Sequence, residues 1–302
     1  MFVDSFLEYL RDERQYSDNT VKSYREDLMQ FVEFVKENKD GIFNPVEVDK
    51  DIVRNWIMSL MESKMAPTTV NRKLSSLKSF FKYLLKKKVI RTSPVRLVNG
   101  PKCGKKLPSF VRDDDMDGVL DESQFENDFK GVRDRLILEL IYDTGLRRSE
   151  VVSIVKTDID LDEMTLRVTG KGNKQRIIPF ASRLKELFSQ YEQKRSDEVG
   201  WDDAAYFVKE NGFPINASFV YKVVTSHLSS VPYLKKKSPH VLRHSFATSM
   251  LNNGAELEAV KQILGHSSLA STSVYTHTTF EELKKNYHAH PRAKKKEVYY
   301  GN

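Results

Sequence analysis

Residues 91 to 110, RTSPVRLVNGPKCGKKLPSF, hold Pro94, Gly100, Pro101, Gly104 and Pro108. Neither a helix nor a strand tolerates that spacing of breakers, so the stretch reads as an extended linker. It divides the chain, and each side must then fold around its own core. The 302 residues suffice for two domains, and a hydrophobic content of 39% gives each one material to bury. The boundaries expected are 1–93 for a first domain, 94–110 for the linker and 111–302 for a second.

The first domain reads as helices only. Val21, Tyr24, Leu28, Phe31 and Val35 recur at three and four positions, as do Ile52, Trp56 and Leu60, and then Val70, Leu74, Leu77, Phe81 and Leu84. Such stripes pack into a small bundle of four or five helices. The second domain mixes periods. DRLILELIYDTG is an apolar helix stopped by Gly145, and RRSEVVSI starts another. MTLRVTGKGNKQRIIPF reads as a β-hairpin carrying Leu166, Val168, Ile177 and Ile178, with GKGN as its turn. Helical patterns follow to the end, and PRAKKKEVYYGN reads as a mobile tail.

Charge narrows the partners. The net charge is +7, and between Asn71 and Val111 every charged residue is basic. Such a run is either a solvated helix face or the footprint of a helix that meets phosphates. The single cysteine, Cys103, makes no internal disulfide and no metal site. With acids early in MFVDSFLEYLRDERQYS and no apolar run near the ~18 residues of a membrane span, a cytoplasmic, nucleoid-associated protein is expected.

Four places in the second domain break local rules, which sequences do chiefly at functional sites. In SPHVLRH, Pro239 suits a first helical turn and Ser238 can cap it, so His240, Arg243 and His244 fall at the helix end that favours anions. Phosphate is the common occupant of such an end. The i, i+4 histidines also match a zinc pair, but the glutamate of HExxH is missing and Arg243 would sit beside the ion. No metal is therefore expected. In TGLRRSE, Arg147 starts a helix with Glu150 one turn on, and alone it reads as a surface ion pair. In GKGNKQR, Lys171 sits in a glycine-flanked turn, and alone it is an ordinary polar tip. In LGHSSLASTSVYTH, His266 follows Gly265, and Tyr275 comes nine residues later. Two arginines, a lysine, two histidines and a tyrosine suit phosphoryl transfer on a diester. The arginines stabilise the non-bridging oxygens, the tyrosine attacks, and the lysine protonates the leaving oxygen. There is no GxxxxGK[ST] loop and no acidic triad for two metals, so no cofactor is expected.

Taken together, TGLRRSE, GKGNKQR, HVLRH, LGHSSLASTSVYTH and the closing YHAHPRA resemble the tyrosine recombinases, also called the phage integrase family, and within it the bacterial Xer recombinases. The resemblance covers nearly the whole chain. It implies a mainly α architecture: an N-terminal helical, SAM-like core-binding domain and a C-terminal α+β catalytic domain with a small hairpin. It also implies that Tyr275 is the nucleophile forming a 3′-phosphotyrosine. Arg147 and Arg243 would clamp the phosphate, His266 would help hold it, Lys171 would be the general acid and His240 would assist proton transfer. Glu150 would orient the first arginine. The expected partners are double-stranded DNA with inverted-repeat sites and a homo- or hetero-tetramer on two duplexes. Arg72, Lys73 and Lys78 are expected to contact DNA, with Lys174 and Arg176 meeting backbone near the site. The competing readings are a mobile-element integrase, a type IB topoisomerase and a DNA-binding module without catalysis. The acidic RDDDMDGVLDE stretch matches no motif of the family.

Overall fold

The computed structural model describes residues 2–38, 41–104, 109–170, 173–200, 205–265 and 286–293. The chain separates into two compact units, Met1–Lys106 and Leu107–Asn302.

The first unit holds helices α1 (Phe2–Asp12), α2 (Asp18–Asn38), α3 (Lys50–Glu62) and α4 (Pro67–Lys86). Asp49 caps α3 by accepting the backbone N–H groups of Asp51 and Ile52, and Pro67 opens α4 where its missing N–H costs nothing. Lys64 and Lys88, just past the ends of α3 and α4, take left-handed backbone. The stripes meet at Phe31, Trp56, Phe80 and Phe81, with Phe31 edge-on to Trp56 at 5.0 Å. Val53 is fully buried there, while Ile52 is only partly so. Two features depart from expectation. Val95 and Val98, inside the segment read as linker, are buried in this core. Lys73, expected to touch DNA, is buried as well, with its ammonium 3.1 Å from the buried carboxylate of Asp27. The same carboxylate accepts from Ser76 and Arg72. Lys73 therefore spends its charge inside the bundle, while Arg72 and Lys78 keep exposed side chains.

The second unit is built around α6 (Phe129–Thr144), buried on every side. A short acidic helix, α5 (Asp113–Val119), precedes it, and α7 (Arg148–Val152) follows. Strands β1 (Ile159–Asp160), β2 (Thr165–Thr169) and β3 (Gln175–Pro179) form an antiparallel sheet in chain order, so the expected hairpin gains a short third strand. Then come α8 (Ser182–Glu198), α9 (Ala217–His227), α10 (Pro239–Asn252) and α11 (Leu257–Leu264). Leu166 pairs with Ile178, and Val168 with Arg176, so Arg176 shares the inward face of the sheet. Ile177 points the other way and is exposed. The described part of the closing segment also differs from a mobile tail. Pro291–Ala293 form a 3-10 turn in which the side chain of Arg292 is buried, bonded to Asp117 and Glu139. No helix among the described residues is long and apolar enough to cross a membrane.

Candidate active site

The site is assembled at a corner. Gly145 ends α6 in left-handed backbone at φ 64°, and a Cβ there would come within 2.6 Å of both Leu264 and Phe246. Glycine thus lets the α6–α7 connection press directly onto α10 and α11. Two residues on, Arg147 occupies the N-cap of α7. Its backbone N–H donates to Glu150 Oε2 at 2.8 Å, and its Nη1 donates to Oε1 at 2.7 Å.

Glu150 gathers more than Arg147. From β3, Arg176 grips it with both terminal nitrogens, each at 3.0 Å. From α10, Arg243 lies 3.9 Å away as an ion pair. Burial would raise the Glu150 pKa, but the donors of Arg176 and Arg147 outweigh it and hold the carboxylate below its ordinary range. One carboxylate cannot neutralise three guanidiniums, and a helix end offsets only part of the excess, about half a charge. Arg176 Nε donates to the carbonyl of Ile263 at 2.7 Å, Arg243 Nη2 to Leu264 at 2.6 Å, and Arg147 Nη2 to Gly265 at 3.3 Å. These are the last carbonyls of α11, where the helix dipole is negative. Arg243 also donates to the carbonyl of Gly145.

A cavity of about 120 Å³ opens against this cluster. Arg147, Arg148, Ser149, Pro239, His240 and Arg243 line it, so the first turn of α10 faces it. Burial, then Arg147, lower the Arg243 pKa to about 10, which leaves it charged at neutral pH. Burial, then Arg148, Lys236, Arg243 and Arg147, lower that of His240. The shift favours the neutral imidazole, the form able to accept a proton. Ser238 caps α10 by position only; its hydroxyl is buried and makes no cap hydrogen bond.

The structure therefore brings Arg147, Glu150, His240 and Arg243 to one place. Lys171, His266 and Tyr275 lie outside the described residues. Lys174, beside the hairpin turn, is exposed. Arg176 was expected to meet DNA backbone; it is instead turned into the protein, because the two-residue period of β3 sets it on the face of Ile178. That period is the signal that could have placed it. Among the described residues no group of His, Cys, Asp or Glu has the arrangement of a metal site.

Comparisons with known proteins agree with this geometry. Residues 110–282 match the model of the phage integrase family, and residues 3–88 that of the phage integrase N-terminal SAM-like domain. The tyrosine recombinase XerC of Chlorobaculum parvum is 37% identical over 318 residues, covering 97% of this chain and 95% of that protein. XerC of Listeria monocytogenes is 37% identical over 292 residues, covering 95% and 97%. Among solved structures, the Tn1549 transposon integrase in complex with circular intermediate DNA superposes with a TM-score of 0.68 at 22% identity, covering 94% of this chain and 98% of that one. The XerH recombinase bound to a palindromic difH substrate superposes at 0.69 with 20% identity, covering 95% and 94%. These likenesses carry the fold, and the family models with the XerC relatives carry the lineage: the chain belongs to the phage integrase, or tyrosine recombinase, family of enzymes.

Proposed function

We propose that this protein is a site-specific recombinase of the Xer type, acting in the cytoplasm on chromosomal or plasmid dimers. Tyr275 Oη attacks the scissile phosphorus and forms a 3′-phosphotyrosine. The bond to the 5′ oxygen breaks, and that oxygen takes a proton from Lys171. His240, neutral and beside the cavity, receives the tyrosine proton. Arg147 and Arg243 hold the non-bridging oxygens with His266, and Glu150 keeps Arg147 aimed. Their charge matters most as the phosphorane forms, because these donors need no rearrangement then. The bond energy stays in the phosphotyrosine, so ATP is not needed. A 5′-hydroxyl from a second duplex reverses the step, and a Holliday junction forms within a tetramer. Both units, Met1–Lys106 and Leu107–Asn302, would bind the duplex, and Arg72, Lys78 and Lys174 would meet phosphates.

One observation carries this reading: a cationic cavity at the start of α10, lined by Arg147, Arg243 and a neutral His240 in a chain of this family. The first experiment uses the inverted-repeat duplex that the protein itself selects from a randomised library, nicked so that cleavage traps the intermediate. A denaturing gel should show DNA linked to the wild type and not to Tyr275→Phe. A band in both would remove Tyr275 from its role. A mobile-element integrase would show the same band, and only the cellular target would separate the two. Supercoil relaxation without strand exchange would point to a topoisomerase.

A further inference from the structure

Arg176 is a side chain the proposed chemistry does not use, yet the α6–α7 corner, the residue after β2 and the end of α11 all meet it. Its two-point grip holds Glu150, and Glu150 holds Arg147. Its Nε holds the carbonyl of Ile263 at the end of α11, the same end that takes Arg243 through Leu264. Two glycines press on its guanidinium. A Cβ at Gly265 would lie 3.2 Å from Arg176 Nη1, and one at Gly170 would lie 3.5 Å from it and 3.7 Å from Glu150 Oε1. Gly170 precedes Lys171, and Gly265 precedes His266. The guanidinium is therefore a flat plate with one motif-bearing segment against each of several edges. Its side chain is only 13% exposed, so it is poorly placed to meet a DNA phosphate.

We propose that Arg176 is the positioning residue of this site: it sets the α6–α7 corner, Gly170 at the end of β2 and the end of α11 in mutual register and itself touches no substrate. The chemical reason lies in the fork. Five donors in one plane let one residue bond a carboxylate on two sides and a carbonyl on a third, which a lysine cannot copy. A displacement near 1 Å of groups that hold a reacting phosphate costs about 100-fold in rate.

This inference rests on the recombinase reading, and its test separates the two. Wild type, Arg176→Lys and Arg176→Gln are compared on the nicked, self-selected duplex for melting temperature, Kd and covalent product at saturating DNA. Both variants should bind within about twofold of wild type and form covalent product about 100-fold more slowly. The lysine variant keeps the charge and guards against simple misfolding, and it should fail to rescue the rate.

A second readout is the pH profile. The charged groups facing Glu150 are Arg147 from the α6–α7 corner, Arg176 from β3 and Arg243 from α10, with the carbonyl end of α11 beside them. In Arg176→Gln, burial of Glu150 loses its chief offset and the carboxylate pKa rises. Cleavage should then fall at a higher pH, as pH is lowered, than it does in wild type. Weakened binding with a normal rate at saturation would make Arg176 a DNA contact and overturn the proposal. A lysine variant indistinguishable from wild type would overturn it too, because the fork would be unnecessary. If wild type itself forms no covalent product, the recombinase reading fails first.

Discussion

The second unit contains the same arrangement twice, with opposite consequences. At Glu150, three arginines (Arg147, Arg176 and Arg243) converge on one buried carboxylate. At Glu139, wholly buried in α6, three others (Arg135, Arg183 and Arg292) do the same, at 3.5, 3.1 and 3.3 Å. What differs is the rest of the charge. The Glu150 cluster is completed by helix-end carbonyls and opens on a cavity lined by Arg147, Arg148 and Arg243 with no carboxylate. The Glu139 cluster has Asp143 and Asp117 beside Arg292 and borders a cavity of about 800 Å³ whose lining includes Asp113, Asp117, Asp121, Glu122 and Glu186. Arg135, Arg183 and Arg292 also line the second cavity but are outnumbered by its carboxylates, so a phosphate is expected to favour the first. A bundle of arginines on a glutamate is thus not a phosphate site in itself; partial charges and neighbouring acids decide the sign of the field.

The largest effect expected separates the two by stability. Arg292→Met removes a buried partner of Glu139 and Asp143, which leaves carboxylates short of a counter-charge in the interior. The expected loss is about 3–5 kcal/mol. At about 2–4 °C per kcal/mol for a unit of this size, the melting temperature should fall by roughly 6–20 °C. Covalent product per folded molecule should stay within a few-fold of wild type. A stable Arg292→Met protein would show that the closing segment is held by something other than this ion cluster.

Arg243→Lys should show the reverse pattern. It removes a forked donor from the proposed phosphate site, and single-turnover cleavage should drop by about 10²–10³. Its melting temperature should fall less than that of Arg292→Met. The charged form of Arg243 is disfavoured by burial and by Arg147, so its charge is not where the fold draws its stability. A larger loss of stability than of rate would erase the distinction between the clusters.

Of these clusters, one was legible in the sequence and the other was not. Arg147, Glu150 and Arg243 stand in short motifs at helix starts, and rule-breaking charge at such places is visible without a structure. Arg176 needed the strand period to be followed one step back from Ile178. Lys73 had a similar signal: it lies four residues before Leu77, on the buried stripe of α4, and so was never free to face a phosphate. The Glu139 cluster left no such trace. Arg292 is 153 positions from Glu139, and in the sequence it sits among lysines that read as a tail. The roles proposed for Lys171, His266 and Tyr275 rest on resemblance alone, because a lysine in a turn or a tyrosine among thirteen carries no signal of its own.

The acid side of the comparison can be sharpened through Asp143. Burial and then Glu139 push its pKa up, against the pull of Arg292, and neither carboxylate oxygen has a hydrogen-bond partner. The sign follows from linkage. A carboxyl whose pKa is higher folded than unfolded binds a proton preferentially when folded, so it detracts from stability as pH rises toward that folded pKa. Asp143→Asn keeps the shape and removes the titration. It should melt close to wild type near pH 4, and its advantage should grow up to about pH 8 and stay constant above that. His290, buried against Tyr142 and Phe246, acts in the opposite sense. Burial and Arg292 drive its pKa down to about 3, so it costs stability as pH falls below the ordinary histidine value near 6.5. Between about pH 4 and 6.5 the two opposing slopes offset each other, so the wild type should lose stability chiefly from about pH 6.5 to 8, and Asp143→Asn should remove that loss.

The smallest effect bears most directly on the sign of the field. Inorganic phosphate that binds the folded state at the Glu150 cluster stabilises it by RT ln(1 + [L]/Kd), about 1.4 kcal/mol when phosphate is near ten times its Kd. At matched ionic strength, phosphate in place of chloride should raise the melting temperature by roughly 3–6 °C. The shift should shrink in Arg147→Gln, which removes one of the cavity's forked donors, and persist in Arg292→Met. Were it to disappear in Arg292→Met instead, the larger cavity would be the anion site despite its five carboxylates. The field argument would then fail, because local hydrogen-bond geometry would have outweighed the summed charge of the lining.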